Sequence, residues 1–320
     1  MLFGRSYNAF ADEANKGIPR KFASRGVYCV PFDCLPFHDE PSGDNMTWAA
    51  GHDIIRAAHF VKKHPQLFGA FITNFSCGPD LFLVGHFRDI MKTKPSLTLE
   101  IDNHTADAGV NTRVEAFLDV VDRFRKLRIT DPPPGSFRKA ELLLEGGKSV
   151  YVASDGSRHP LTDPNVKVVF PSMGRTLSEV ASAAFQGLGV RSEVVPLPDT
   201  NTLNEGRANT CCKECLPLIL STGSMVEYAE RRRKEGELSL YFMPTATGGC
   251  RIAQYAVHLN RVIKKREIEN LATFSLASKN SYAGLGGSVA VTMLKGIVVA
   301  DVMDDIRNAL RVLAVDPRNA

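Results

Sequence analysis

At 320 residues the chain is too long for one compact core and suits two domains of ordinary size. Its 44% hydrophobic and 23% charged content is that of a soluble globular protein. With 39 basic against 35 acidic residues, net +4 and spread along the chain, there is no gathered basic face of the kind nucleic acid requires.

The chain begins with "MLFGRSYNAF", three residues before a Gly-Arg turn where an inner strand needs five or six. Such a truncated first strand predicts a segment that starts just inside a longer protein. "GVYCVPFD" (26–33), "LFGAFITNF" (67–75) and "SLTLEID" (96–102) then read as apolar strands bounded by breakers. Helical patterns lie between and after them, at 48–63 and 113–127. Apolar strands separated by helices predict a parallel sheet covered on both faces.

Residues 130–164 change character. "TDPPPG" is a stiff connector, and "KSVYVASDGSRHPL" reads as a short hairpin or extended linker. The alternation resumes at "VKVVFPSMGRTLSEVASAAFQGLGVRSEVVPLPD", which repeats the layout of residues 2–33: strand, Gly-Arg, helix, Gly-Val, strand, aspartate. A further helix (48–63 or 216–230) and a strand leading into a cysteine loop follow in both halves. The expected fold is therefore α/β: two similar three-layer α/β domains with mainly parallel sheets facing a central cleft. The boundaries are 1–129, a linker or hairpin at 130–164, and 165–320. Such domains bind ligands beyond the carboxyl ends of their strands. The pattern predicts neither a signal peptide nor a membrane span.

Seven cysteines without the spacing of a disulfide scaffold predict a reduced, cytoplasmic setting, where thiols more often serve metals or catalysis. Three stand where a helix begins. Cys77 follows a strand and precedes Gly78-Pro79-Asp80; Cys215 precedes Pro217 at the head of "LPLILSTGSMVEYAE"; Cys250 follows Gly248-Gly249 and opens "RIAQYAVHLNRVIKK". Free amides and the positive end of the helix dipole favour a thiolate there, and can carry part of an iron–sulfur cluster's charge. Three such thiolates would suit a 4Fe–4S cluster with one iron open to another ligand. Zinc with a fourth ligand, a redox pair of Cys212 with Cys215, and three buried unreactive thiols are the competing readings. Cys29 and Cys34 read as packing residues, and Cys211 as a neighbour of the ligand set.

"GRSYNAFADEANKGIPRKFASRGV", "NFSCGPDLF", "LEIDNHTADAGVNTRVEAFLD", "KECLPLILSTG", "GGCRIAQY" and "IRNALRVLAVDP" together resemble the activase-associated family of the 2-hydroxyacyl-CoA dehydratase system. That family is related to the dehydratase subunits and to double-cubane cluster proteins, and the resemblance covers nearly the whole chain. It implies a 4Fe–4S cluster on three cysteines, here Cys77, Cys215 and Cys250. It further implies a low-potential electron delivered by an ATP-hydrolysing activase, and an acyl-CoA or other small substrate. Two positions depart from the family: Gly249 stands where proline is common, and Cys212 where a small residue is common, which leaves Cys212 as an extra or replacement ligand. A non-catalytic metal- or cluster-binding scaffold within a larger activase protein is the alternative, and a dimer is compatible with either.

The remaining candidates are polar. Asp102, His104, Asp107, Arg113 and Glu115 follow a strand directly, and read as acid–base or substrate-orienting groups or as a helix cap with salt bridges. His104, Asp102 and Glu115 are the catalytic candidates. Arg5 and Arg175 occupy equivalent Gly-Arg turns and would meet an anion or tie down a loop, while Arg251 would offset cluster charge. No Walker-type GxxxxGK[ST] is present. "GLGGS" (284–288) reads as a loop entering a helix, and "RRRK" (231–234) as a solvated helix end.

Overall fold

The computed structural model describes residues 1–43, 46–74, 78–127, 129–133, 135–211, 213–245, 250–276, 284–285, 287–314 and 316. The chain forms two compact units, Met1–Gly135 and Ser136–Ala320. Both are α/β, with parallel sheets alternating with helices.

The first unit runs β1 (Leu2–Phe3), three short helices α1 (Ser6–Ala9), α2 (Asp12–Asn15) and α3 (Ile18–Ala23), then α4 (Ala49–Lys63), β2 (Gly69–Asn74), α5 (Asp80–Met91), β3 (Ser96–Ile101) and α6 (Asp107–Leu127). The strands pair in parallel in the order β1-β2-β3. Alternation along the strands separates two apolar layers. Phe3 and Phe71 join Ile54, Ala58, Leu83 and Phe87 on one face, against α4 and α5. Leu2, Ala70, Ile72, Leu97 and Leu99 join Ile18, Phe22, Val114 and Phe117 on the other, against α3 and α6.

The strand expected at 26–33 does not form. Only a bridge between Leu2 and Pro31 and a hydrogen bond from Leu2 N to Val30 O remain of it. Pro31 has no N–H to extend a ladder, Gly26 turns the chain at a φ of 74°, and the two-residue β1 offers little edge to pair with. Tyr28, which a strand would shelter, is 94% exposed.

The second unit opens with an antiparallel sheet of β4 (Glu141–Glu145), β5 (Lys148–Val152) and β6 (Arg158–Pro160). The hairpin reading of this stretch matches its pairing, and its inner residues enter the unit's core through Tyr151, Ala153 and Leu161. There follow β7 (Val166–Phe170), α7 (Arg175–Gln186), β8 (Ser192–Val194), α8 (Thr200–Ala208), α9 (Leu216–Glu227), β9 (Leu238–Phe242), α10 (Tyr255–Lys265), β10 (Leu271–Phe274) and α11 (Gly287–Leu313). The parallel sheet has the order β10-β9-β7-β8, so strand order reverses between β7 and β9. The remnant at Pro31 lies beside β1 as β8 lies beside β7, so the two units share a layout as the sequence repeat predicts. Val168, Phe170, Leu240, Phe242 and Phe274 bury one face of the sheet with Phe185 of α7.

Helix α8 was not anticipated, because "TNTLNEGRA" carries little apolar pattern. It is started by a capping box in which Asp199 Oδ1 accepts from Thr202 N at 2.9 Å and Asp199 N donates to Thr202 Oγ1 at 3.3 Å. Its packing on α9 depends on two glycines. A Cβ on Gly206 would stand 2.0 Å from Ile219 O, and one on Gly223 would stand 1.9 Å from Thr202 O. The other end of α9 unwinds into one π turn, Tyr228–Arg232. There the Tyr228 hydroxyl donates to Glu237, which also meets Lys167 Nζ at 2.5 Å and accepts from Ser239 Oγ at 3.0 Å. The arginines of "RRRK" pair locally, Arg231 with Glu205 at 3.3 Å. Among the described residues no helix is long and apolar enough to cross a membrane.

Two outcomes follow from these contacts. Gly223→Ala forces a methyl against backbone that cannot swing aside, and should cost about 2 kcal/mol of unfolding free energy in a urea titration. In the first unit Asp131 accepts from Lys62 Nζ at 2.8 Å and Thr93 Oγ1 at 2.5 Å. The Lys62 ammonium and the Thr93 hydroxyl together hold its carboxyl down to about 2. The folded carboxyl is more acidic than the unfolded one, so its contribution is present above about pH 4 and is lost as the pH falls toward 2. Asp131→Asn should therefore lose about 1 kcal/mol at neutral pH and show a shallower acid limb of stability against pH.

Candidate functional site

The second unit brings two of the sequence-predicted thiols into one neighbourhood. Cys215 is the N-cap of α9, in extended conformation at φ −63° and ψ 143°, with Pro217 in the first turn. Its carbonyl accepts from Leu218 N and Ile219 N, which starts the helix, while its side chain caps nothing. Cys250 is the N-cap of a 3₁₀ turn, Arg251–Gln254, that runs directly into α10. Cys250 follows β9, one of the two strands flanking the reversal of strand order, where open α/β sheets take their ligands.

Between them stands Tyr255, the first residue of α10 and 6% exposed. Its hydroxyl lies 2.5 Å from Cys215 Sγ. Burial raises the Tyr255 phenol above its usual range, the hydrogen bond with Cys215 adds to this, and the charges of Cys215 and Cys250 push the same way while Arg251 opposes them. The phenol thus stays protonated, and its hydroxyl shares a hydrogen bond with the Cys215 thiol. Sequence reasoning missed this residue. Its signal lay in its position at the end of Cys-Arg-x-x-Gln-Tyr, one 3₁₀ turn beyond the cysteine.

Cys211 belongs to the preceding loop. Its backbone N–H donates to both oxygens of Glu214 at 3.1 Å. Partial desolvation, with the Glu214 carboxylate adding to it, pushes its thiol up to about 11, which leaves it a poor thiolate donor. Cys29, Cys34, Cys211, Cys215 and Cys250 are all free of disulfides. Cys77 and Cys212 lie outside the described residues. Among the described residues no group of three His, Cys, Asp or Glu side chains could hold a metal ion.

In the first unit the Gly-Arg turn meets the head of α5. Arg5 Nε pairs with Asp80 Oδ1 at 2.9 Å, and Thr73 Oγ1 donates to Asp80 Oδ2 at 2.8 Å. Asp80 is fully buried, and burial raises its carboxyl above the usual range against the pull of Thr73 and Arg5. Arg5 also covers the Tyr7 ring at 4.9 Å. Of the two readings for this arginine, the loop tie is the arrangement found: it holds the residues that directly follow Cys77. Arg175 has no such partner and pairs with Glu179 one turn along its own helix at 3.0 Å, near the surface.

The polar set after β3 is engaged locally. Asp102 Oδ1 accepts from Thr105 Oγ1 at 2.7 Å and from His104 N at 2.8 Å, and Asp102 N donates to Thr105 Oγ1 at 2.8 Å. These bonds, led by Thr105, hold the Asp102 carboxyl below its usual range. Glu115 pairs with Arg25 at 2.5 Å, Asp107 with Lys21 at 3.3 Å, and Arg113 donates to Thr98 O at 3.1 Å. His104 is exposed on the turn. This is a side-chain-stabilised turn ahead of α6, with ion pairs from Glu115 and Asp107 to Arg25 and Lys21.

A cavity of about 480 Å³ on the first unit is lined by Lys62, Lys63, Lys94 and Asp131 among others. Its lysines are already engaged: Lys62 by Asp131, Lys63 by Glu40, and Lys94 by the carbonyls of Val61, Lys62 and His64 that end α4. Comparison with family models, curated proteins and solved structures gave no match for this chain.

The buried pair at the head of α5 gives a measurable outcome. Arg5→Met leaves the Asp80 carboxyl buried without its cation and should cost roughly 3 kcal/mol at neutral pH. The deficit should shrink as the pH is lowered and Asp80 takes up a proton, and Arg5→Met with Asp80→Leu should regain much of the loss. A double variant that loses the sum of the Arg5→Met and Asp80→Leu losses would show that the pair has no coupling.

Proposed function

We propose that the chain is an iron–sulfur component of the dehydratase–activase type, with a 4Fe–4S cluster held by Cys215, Cys250 and Cys77 and reduced by an ATP-hydrolysing activase. The observation that carries this reading is the contact of Tyr255, five residues after Cys250 at the head of α10, with Cys215: its hydroxyl lies 2.5 Å from Cys215 Sγ. The donor set fits, since both thiols head helical turns and neither caps its own helix. Cys77 is the third thiol that the resemblance assigns.

When bound, such a cluster supplies one-electron transfer at low potential. The chain's own residues do the rest. Amides at the start of α9 offset negative charge, Arg251 adds a cation beside Cys250, and the Tyr255 hydroxyl donates to Cys215 Sγ. The substrate is an acyl-CoA or another small molecule able to accept one electron. The setting is reducing and cytoplasmic.

Anaerobic reconstitution with iron and sulfide, followed by metal analysis and EPR of the reduced protein, tests the reading. The wild type should be brown, with about four irons per chain. Cys77→Ala, Cys215→Ala and Cys250→Ala should each lose most of the iron, whereas Cys211→Ala should keep it. A colourless wild type carrying zinc, or unchanged spectra in all three alanine variants, would refute it.

A further inference from the structure

Among the described residues the longest helix leaves an apolar side exposed. Helix α11 has 27 residues, about 40 Å of helix. Its inner edge runs through Val289, Met293, Gly296, Ala300, Asp304 and Arg307 and packs on α7. Gly296 abuts Val180, and Thr176 Oγ1 donates to Asp304 Oδ1 at 2.8 Å and accepts from Arg307 at 2.8 Å. The opposite side carries Val291, Leu294, Val298, Val302, Ile306 and Leu310, between 48% and 61% exposed, flanked by the exposed Val299, Met303 and Leu313.

A surface helix of a monomer is polar on its outer face. This one leaves on the order of 1,000 Å² of apolar side chain uncovered, more than the few hundred Å² a soluble monomer carries in one patch. That area matches the roughly 800 Å² per partner of a standard stable interface.

We propose that α11 is the interface of a homodimer, its outer face seated antiparallel on the same face of a second copy. The spacing of the row favours this occupant over an unrelated helix. Leu294, Val298, Val302 and Ile306 are spaced four apart and are symmetric about position 300. Turned end over end the row meets itself: Val298 opposes Val302 of the second copy and Leu294 opposes its Ile306, the self-complementarity that two-fold contacts require. Asp301, Asp305 and Asn308 line one flank and keep a polar rim. The proposal is independent of the metal reading and concerns the opposite edge of α11 from its contact with α7.

Sedimentation equilibrium on the 320-residue chain tests it. The wild type should run at about twice its 35.1 kDa at micromolar concentration. Val298→Glu with Val302→Glu should raise the dimer dissociation constant at least about thirtyfold, the effect of losing central anchors, with unchanged far-UV circular dichroism. Should that variant fold poorly, Val298→Thr with Val302→Thr carries the test, with a smaller shift in the same direction. A wild type that stays monomeric overturns the proposal, and so does one that instead floats with phosphatidylcholine vesicles. A dimer that neither variant weakens also overturns it.

Discussion

Parallel pairing of β7 with β9 is the constraint from which the second unit's arrangement follows. Because β8 lies on the outer side of β7 and β10 on the outer side of β9, the connections from these two strands leave in opposite directions across the sheet. Residues that follow each strand are then splayed apart at the carboxyl edge, leaving room there. Cys250 sits just beyond that edge because β9 ends at Phe242 and α10 must turn back over the sheet. The chain needs nothing special at Cys250 to bring it there. Topology delivers the thiol, and Tyr255, one turn later, is directed at the neighbouring helix head.

Helix α9 supplies the second thiol, and three separate contacts fix where its head lies. Its middle is held against α8 by the glycine crossing and against β9 by Tyr241, whose hydroxyl donates to Ser221 O at 3.2 Å. Its far end is held by Tyr228 on Glu237, a carboxylate that burial alone would raise but that Lys167 and Tyr228 draw down. The helix head is therefore set by packing and by a buried polar cluster distant from it. A change at either place would move Cys215 relative to Tyr255 without touching either residue.

The elements that could be read from sequence were those whose environment repeats along the chain. Strands β2, β7 and β9 are mostly apolar because both faces are covered, and α4 shows its inner face at helical spacing through Ile54, Ala58 and Val61. The failures have local causes. At 26–33 the β-branched and aromatic content outweighed Gly26 and Pro31, which forbid a ladder. Helix α8 is built by a cap and two glycines rather than by an apolar stripe, and so gave no periodic signal. The cysteines at helix heads were legible through proline and glycine punctuation. Tyr255 was not, since its role depends on a helix distant in sequence. Helix α11 is a different case: its sequence shows a long apolar row, and only the fold shows which side of it is exposed.

The two halves of the repeat differ in how the Gly-Arg turn is used. In the first, the Gly-Arg turn after β1 grips a buried acid, and Asp80 is that acid because it opens α5 within reach of both Arg5 and Thr73. In the second, the matching position after Cys250 is Ala253, a small buried residue, and Arg175 turns outward to Glu179. Without an acid to bury, the segment after Cys250 needs no cation from the sheet edge. It folds instead as a 3₁₀ turn that projects Arg251 and places Tyr255 beside Cys215. The segment that follows the second strand of each parallel order is thus braced by charge in one unit, three residues after Cys77, and by a phenol in the other, five residues after Cys250.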